Sequence, residues 1–93
     1  MYISFLGKVT SVARFKNPED DCYGYRISFY YGSGIYAFDE YTALVEKHSL
    51  LSYECGFEWI GKCFIFEAHM NDDNEIVLDK AFIQNYIWKN TLN

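Results

Sequence analysis

Proline and long apolar runs are nearly absent from the sequence. Proline occurs once among the 93 residues, at Pro18 in a polar stretch, so it interrupts no strand. No apolar run approaches the roughly 20 residues that a transmembrane helix needs. The first eight residues are too short for a signal peptide and lack its basic start. We therefore expect a cytosolic protein with no membrane segment.

Residues that carry most enzyme and metal chemistry are also scarce. The three cysteines, Cys22, Cys55 and Cys63, are odd in number and form no C-x-x-C pair, so reduced thiols are expected. With His48 and His69, they match no zinc-ligand spacing. No Ser-His-Asp arrangement, glycine-rich phosphate loop or H-E-x-x-H motif is present. We expect no catalytic, metal or cofactor site, and a protein that is not an enzyme.

Apolar and aromatic residues are abundant instead. They make up 51% and 20% of the chain, which is too much for a disordered protein. A chain of this length has room for one core, and its tyrosines, phenylalanines, isoleucines and valines favour strands. We expect a single, mainly β domain over residues 1–93.

Alternating apolar residues predict five strands, because successive strand residues point to opposite faces. A change of parity between Gly7 and Ser11 predicts a bulge or bend in the first strand. Gly32-Ser33-Gly34 and residues 71–74 are typical of tight turns. The tail, residues 86–88, extends the last strand or packs back on the domain. The predicted strands cover residues 2–15, 23–31, 35–38, 62–70 and 75–83.

A change of period after residue 38 predicts one helix between the third and fourth strands. Asp39 or Thr42 is available as N-cap, and Gly56 is placed to end the helix. His48 falls on the apolar stripe, so we expect it to pack in the core. The helical spacing comprises Tyr41, Leu44, Val45, His48 and Leu51.

This layout, three strands, a helix and two strands, resembles the OB-fold, and in particular single-stranded-DNA-binding proteins of the bacterial type. The resemblance covers residues 2–84. It lies in strand order and in three segments: 6–10 (LGKVT), 61–68 (GKCFIFEA) and 76–83 (IVLDKAFI). It implies a five-stranded OB-like barrel with one helix between strands three and four.

The resemblance also implies a groove across strands two and three that binds single-stranded nucleic acid. Aromatic side chains there would stack on bases, and lysines and arginines would contact phosphates. The same rings could instead pack across the sheet or form a protein interface. The candidate residues are Lys8, Arg14, Arg26, Tyr30, Tyr36, Phe38 and Lys62.

Two acidic clusters give a second hypothesis. Residues 19–21 and 72–75 hold six of the 13 acidic residues and no lysine or arginine. They would repel nucleic acid and attract a basic partner, so an inhibitor or immunity-type protein, phage-encoded for example, could occlude a nucleic-acid enzyme. Ordinary solvated turns are the alternative for both clusters. Separately, Trp59, Ile87 and Trp88 could form a homodimer patch or simply cap the barrel. The acidic candidates are Glu19, Asp20, Asp21, Asp72 and Asp73.

Overall fold

The computed structural model describes residues 2–16, 22–31 and 39–84, which form a closed five-stranded β-barrel. The strand order around the barrel is β1-β2-β3-β5-β4; β3 and β5 are parallel, and the other neighbours are antiparallel. The barrel confirms the predicted fold class and is compatible with an OB-like architecture. The strands are β1 (Tyr2–Lys16), β2 (Tyr23–Tyr31), β3 (Glu40–Val45), β4 (Cys63–Met70) and β5 (Ile76–Ile83).

The long first strand closes the barrel because it pairs with two neighbours. Its first half runs antiparallel to β4, from Tyr2 opposite His69 onwards. Its second half runs antiparallel to β2. The register with β2 shifts between Val9 and Ser11, which confirms the predicted bulge. A bulge bends a strand and increases its twist, so one strand can serve both sides of a small barrel.

The segment between β3 and β4 corrects the helix prediction. Residues 40–45 form β3, and two short 3-10 helices follow: η1 (Leu50–Tyr53) and η2 (Phe57–Trp59). The prediction was wrong because β3 pairs along its length with β2, which buries Ala43 and Val45 in the core. His48, expected in the core, is exposed with a φ of 69°.

Two other predicted elements lie outside the described residues. These are the third strand at residues 35–38 and the tail at residues 86–88. The remaining four predicted strands agree with β1, β2, β4 and β5 to within one or two residues at each end. Such differences are ordinary for element boundaries.

Aromatic rings fill the barrel interior. Phe5 stacks on Phe29 with 5.1 Å between ring centroids, and Phe66 contacts both rings. Trp59 of η2 lies 4.6 Å from the ring of Phe64 and is 6% exposed. It therefore covers the end of the barrel where β4 begins, which is the capping role given above as the alternative to a homodimer patch.

Candidate functional site: an outer sheet face and the barrel mouth

The outer face of β2 carries two of the residues proposed for nucleic-acid binding. Tyr25, Ile27 and Phe29 are buried, whereas Arg26 and Tyr30 are exposed. This alternation follows from the two-residue period of a strand, in which every second side chain faces the core. Arg26 and Tyr30 therefore lie on one surface, four residues apart.

Lys8 joins this surface from the neighbouring strand. It lies directly opposite Tyr30 across the β1–β2 pair, and Tyr30 lies opposite Glu40 across the β2–β3 pair. Residues opposite each other in antiparallel strands point to the same side of the sheet. A cation, an aromatic ring and a carboxylate thus form a row across three strands. Thr10 Oγ1 donates a hydrogen bond to Glu40 Oε2 at 2.8 Å.

Arg26 contacts a carboxylate of the β4–β5 hairpin. Its Nη2 lies 3.5 Å from Glu75 Oε2, and both side chains are more than one third exposed. An exposed ion pair of this kind contributes little to stability. The guanidinium can therefore leave Glu75 at small cost in stability.

Arg14 faces the other side of the sheet, whereas the Lys62 backbone lies next to Val9, the residue that follows Lys8. Arg14 lies opposite the buried Tyr25, so it is on the inner side of the β1–β2 pair. Its guanidinium carbon is 4.4 Å from the ring centroid of Tyr23 and 5.5 Å from that of Phe57. Lys62 lies between η2 and β4, where its carbonyl accepts a hydrogen bond from the Val9 amide at 3.0 Å.

The acidic residues of the β4–β5 hairpin belong to a well-formed turn. Asn71 Oδ1 accepts hydrogen bonds from the backbone amides of Asp73 at 3.0 Å and of Glu75 at 2.8 Å. This is the arrangement that favours Asn and Asp in turns. Asp72 and Asp73 are exposed. The other proposed contacts, Glu19, Asp20, Asp21, Tyr36 and Phe38, lie outside the described residues.

An apolar cavity opens at the mouth of the barrel, where β2 ends and β3 begins. Its volume is about 220 Å³. Tyr31 and Tyr41 stand at its entrance, 53% and 45% exposed, with their rings edge to face at 5.9 Å. The walls are Ile3, Phe5, Phe29, Tyr31, Tyr41 and Ile76.

The sequence contains a signal for this cavity that the helix prediction obscured. In a strand, Tyr41, Ala43 and Val45 share one face, and this face turns into the barrel. Tyr31 continues the inward positions of β2 beyond Phe29. Once residues 23–31 and 40–45 are both recognised as strands, Tyr31 and Tyr41 lie at the ends of their inward-facing rows. The sequence then predicts aromatic rings at the mouth of the barrel.

The two buried thiols, Cys55 and Cys63, are poorly suited to nucleophilic chemistry. Burial raises the pKa of the Cys55 thiol to about 12, and the negative charge of Glu58 adds to the rise. Burial also raises the pKa of Cys63, which the positive charge of Lys8 partly offsets. Both thiols are therefore poor nucleophiles. His69 Nδ1 lies 2.8 Å from Asp79 Oδ2, in a partly exposed pair.

The described residues contain neither a cluster of metal ligands nor a helix suited to span a membrane. Residues 2–16, 22–31 and 39–84 contain no group of three or more His, Cys, Asp or Glu residues able to hold a metal ion. In the same ranges, no helix has the length and apolar character needed to cross a membrane.

No protein-family model, curated protein or solved structure matches this chain.

Proposed function

We propose that this chain is a non-enzymatic binding module that engages single-stranded nucleic acid along the outer face of β1, β2 and β3. The observation that carries the proposal is the placement of Lys8, Tyr30 and Arg26 on the outer surface of an OB-like barrel, with Tyr30 and Arg26 exposed and Lys8 partly exposed. The resemblance to single-stranded-DNA-binding proteins points to the same surface. The reduced cysteines suit a cytosolic location.

The chemistry of the three side chains fits this ligand. A base stacked on an aromatic ring contributes about 1–3 kcal/mol whatever its identity, so Tyr30 supplies binding without sequence preference. Lys8 and Arg26 flank the ring and supply positive charge for phosphates. Glu40 and Glu75 oppose them with negative charge. We therefore expect weak binding that depends strongly on salt.

The test is fluorescence anisotropy with a labelled oligo(dT), at roughly 50 mM salt and micromolar protein, where the electrostatic contribution is strongest. Tyr30→Ala and Arg26→Ala should each weaken binding. Glu75→Gln should strengthen it, because the substitution releases Arg26 and removes a negative charge. Tyr53→Ala and Lys80→Ala are matched controls, since both residues are exposed and lie away from this face.

The opposite results would contradict the proposal. Absence of binding by the wild-type chain at low salt would end it. Binding that falls equally in the Tyr30→Ala and Tyr53→Ala variants would place the contact elsewhere. The logarithm of the binding constant should fall with the logarithm of salt, and losing one phosphate contact should reduce the slope by about 0.7.

A second candidate function is the binding and occlusion of a basic protein, as an inhibitor or immunity-type protein does. The observation that favours it is the distribution of carboxylates on both sides of the barrel mouth. Asp39 and Glu40 precede Tyr41, and the hairpin carries Asp72, Asp73 and Glu75, all within the described residues. Charges of one sign around an apolar patch steer a partner of opposite sign.

The test is affinity purification from the native host with wild-type and charge-reversed chains. Asp72→Lys with Asp73→Lys, and separately Glu19→Lys, Asp20→Lys and Asp21→Lys, should reduce recovery of a basic protein and slow its association. Glu54→Lys with Glu58→Lys is the control, because both residues are exposed in the segment between β3 and β4 and neither lines the cavity. Unchanged recovery with both test variants would exclude a role for the acidic clusters.

A further inference from the structure

We propose that the cavity at the barrel mouth binds one apolar, ring-sized side chain presented by a basic segment of a partner protein. The inference rests on the second candidate function and specifies where and how that partner docks. It concerns the inward-facing ends of the strands, whereas the proposed nucleic-acid face uses their outward-facing residues. The two surfaces are therefore separable by mutation.

The size and lining of the cavity fit such a side chain. A cavity of about 150 Å³ lined by Leu, Ile and Phe binds benzene, so the 220 Å³ available here can accept a phenyl or branched aliphatic group. The walls are almost entirely carbon, from two isoleucines and four aromatic rings. A nucleobase would leave its polar edge without hydrogen-bond partners in this cavity, which disfavours it.

The entrance has the composition of a protein interface. Tyr31 and Tyr41 are about half exposed, and each contacts a buried ring: Tyr31 contacts Phe5, and Tyr41 contacts Phe29. The Tyr31 amide also donates a hydrogen bond to the Asp39 carbonyl at 3.4 Å. Tyrosines held by packing are enriched among the residues that dominate interface energies.

The surroundings of the cavity determine the charge of the partner. Tyr41 and Ile76 are shared with an adjoining groove of about 280 Å³, whose walls also include Glu75 and Arg26. Arg26 is already paired with Glu75. The exposed carboxylates near the cavity thus extend from Asp39, just before β3, and Glu40, its first residue, to the hairpin. A segment with lysines or arginines beside its apolar residue complements this arrangement.

The experiment uses a synthetic peptide, Lys-Lys-Phe-Lys-Lys, and the full chain with ¹³C-labelled isoleucine methyl groups. We expect chemical-shift changes at Ile3 and Ile76, which line the cavity, and none at Ile60 or Ile65, which do not. The peptide Lys-Lys-Ala-Lys-Lys has the same charge without the ring. It should bind about tenfold more weakly or worse, because the phenyl group is then absent from the cavity.

Two variants of the chain test the cavity and the charges separately. Ile76→Phe fills the cavity and should abolish the preference for the phenylalanine peptide, while its methyl spectrum reports whether the fold is retained. Asp39→Asn with Asp72→Asn and Asp73→Asn should weaken the peptide about threefold or more at low salt. Glu46→Gln with Glu54→Gln and Glu58→Gln removes the same charge from residues that do not line the cavity and should have no such effect.

Four results would overturn the proposal. Methyl shifts at Ile3 and Ile76 with oligo(dT) but not with the peptide would assign the mouth to nucleic acid. Peptide binding that depends on the carboxylates but not on the phenyl group would leave the second candidate function standing without the cavity. Shifts seen only in a Tyr36→Ala, Phe38→Ala chain would mean that the protein's own residues compete for the cavity. Absence of any shift at millimolar peptide would exclude the site.

Discussion

Gly7 lies where the β1 backbone passes close to two fully buried rings of the core. A Cβ atom at this position would lie 3.1 Å from Phe29 Cδ2 and 3.3 Å from Phe66 Cε2. Both rings are at most 1% exposed, so neither can move aside without disturbing its neighbours. At the residue scale, this close approach explains why a small residue interrupts an otherwise apolar row.

We therefore expect Gly7→Ala to lower the free energy of unfolding by about 1–3 kcal/mol, the usual cost of overpacking a core. Urea denaturation followed by circular dichroism measures the change. Ser4→Ala is the control, because Ser4 is exposed on the same strand and its replacement should change stability by less than about 0.5 kcal/mol. Equal stability of the Gly7→Ala and Ser4→Ala chains would show that the rings can accommodate the methyl group.

A second residue-scale prediction concerns alkaline pH. Burial raises the pKa of Cys55 from 9.0 to about 12 in the folded chain. Above pH 9 the unfolded thiol loses its proton while the folded thiol keeps it, so this contribution favours unfolding as the pH rises. We expect the free energy of unfolding to fall between about pH 9 and 12 by up to ~1.4 kcal/mol per pH unit from this thiol.

Other groups also titrate in this range, so the comparison is with Cys55→Ser, which has no thiol at this position. Urea denaturation at successive pH values gives the slope for each chain. The wild-type slope should be the steeper one. Parallel slopes would show that Cys55 ionises as readily in the folded chain as in the unfolded one.

At the element scale, the β4–β5 hairpin depends on one asparagine. Asn71 Oδ1 accepts two backbone hydrogen bonds, and Asn74 adopts a φ of 62° that asparagine tolerates well. Asn71→Ala should cost about 1–2 kcal/mol of stability, because two amides lose their acceptor. Asp72→Ala is the control and should be nearly neutral. A neutral Asn71→Ala chain, measured by thermal unfolding, would mean that water replaces the side chain.

A strand can be predicted from the sequence when its inward-facing residues are clearly more apolar than its outward-facing ones. In β2 every inward residue is large and apolar, so alternation alone predicts the strand and the outward placement of Arg26 and Tyr30. In β3 the inward Ala43 is small and the more exposed Leu44 is large, which imitates helical spacing. Only pairing with β2 reveals β3 as a strand, and pairing is a tertiary property.

One part of the candidate site could be predicted from the sequence, and the other part required the tertiary structure. The row of Lys8, Tyr30 and Arg26 follows from strand parity and the resemblance, although its pairing with Glu40 and Glu75 requires the sheet register. The cavity could not be predicted from any one segment. Its walls come from β1, β2, β3 and β5, which are brought together only by closure of the barrel.

At the scale of the whole molecule, closure joins segments that are far apart in the chain. Tyr2 pairs with His69 across β1 and β4, and the parallel pair of β3 and β5 brings Ala43 beside Ile76. Forming such contacts requires the long intervening segments to close into loops, which costs conformational entropy. Barrels of this type therefore fold slowly. Trp59 is buried at the end of the barrel where β4 begins, so its fluorescence should change when the interior becomes packed.

We therefore expect refolding from urea on a millisecond-to-second timescale, as for other small domains dominated by distant strand pairs. Stopped-flow fluorescence of Trp59 in a Trp88→Phe chain measures the rate from a single tryptophan. Phe5→Leu weakens the ring cluster where β1 meets β4. If β1 docks before the rate-limiting step, this variant should mainly slow refolding; if β1 docks afterwards, it should mainly accelerate unfolding. Relaxation of the wild-type chain within microseconds would contradict this, because it would require the packing around Trp59 to form without the long-range pairs that close the barrel.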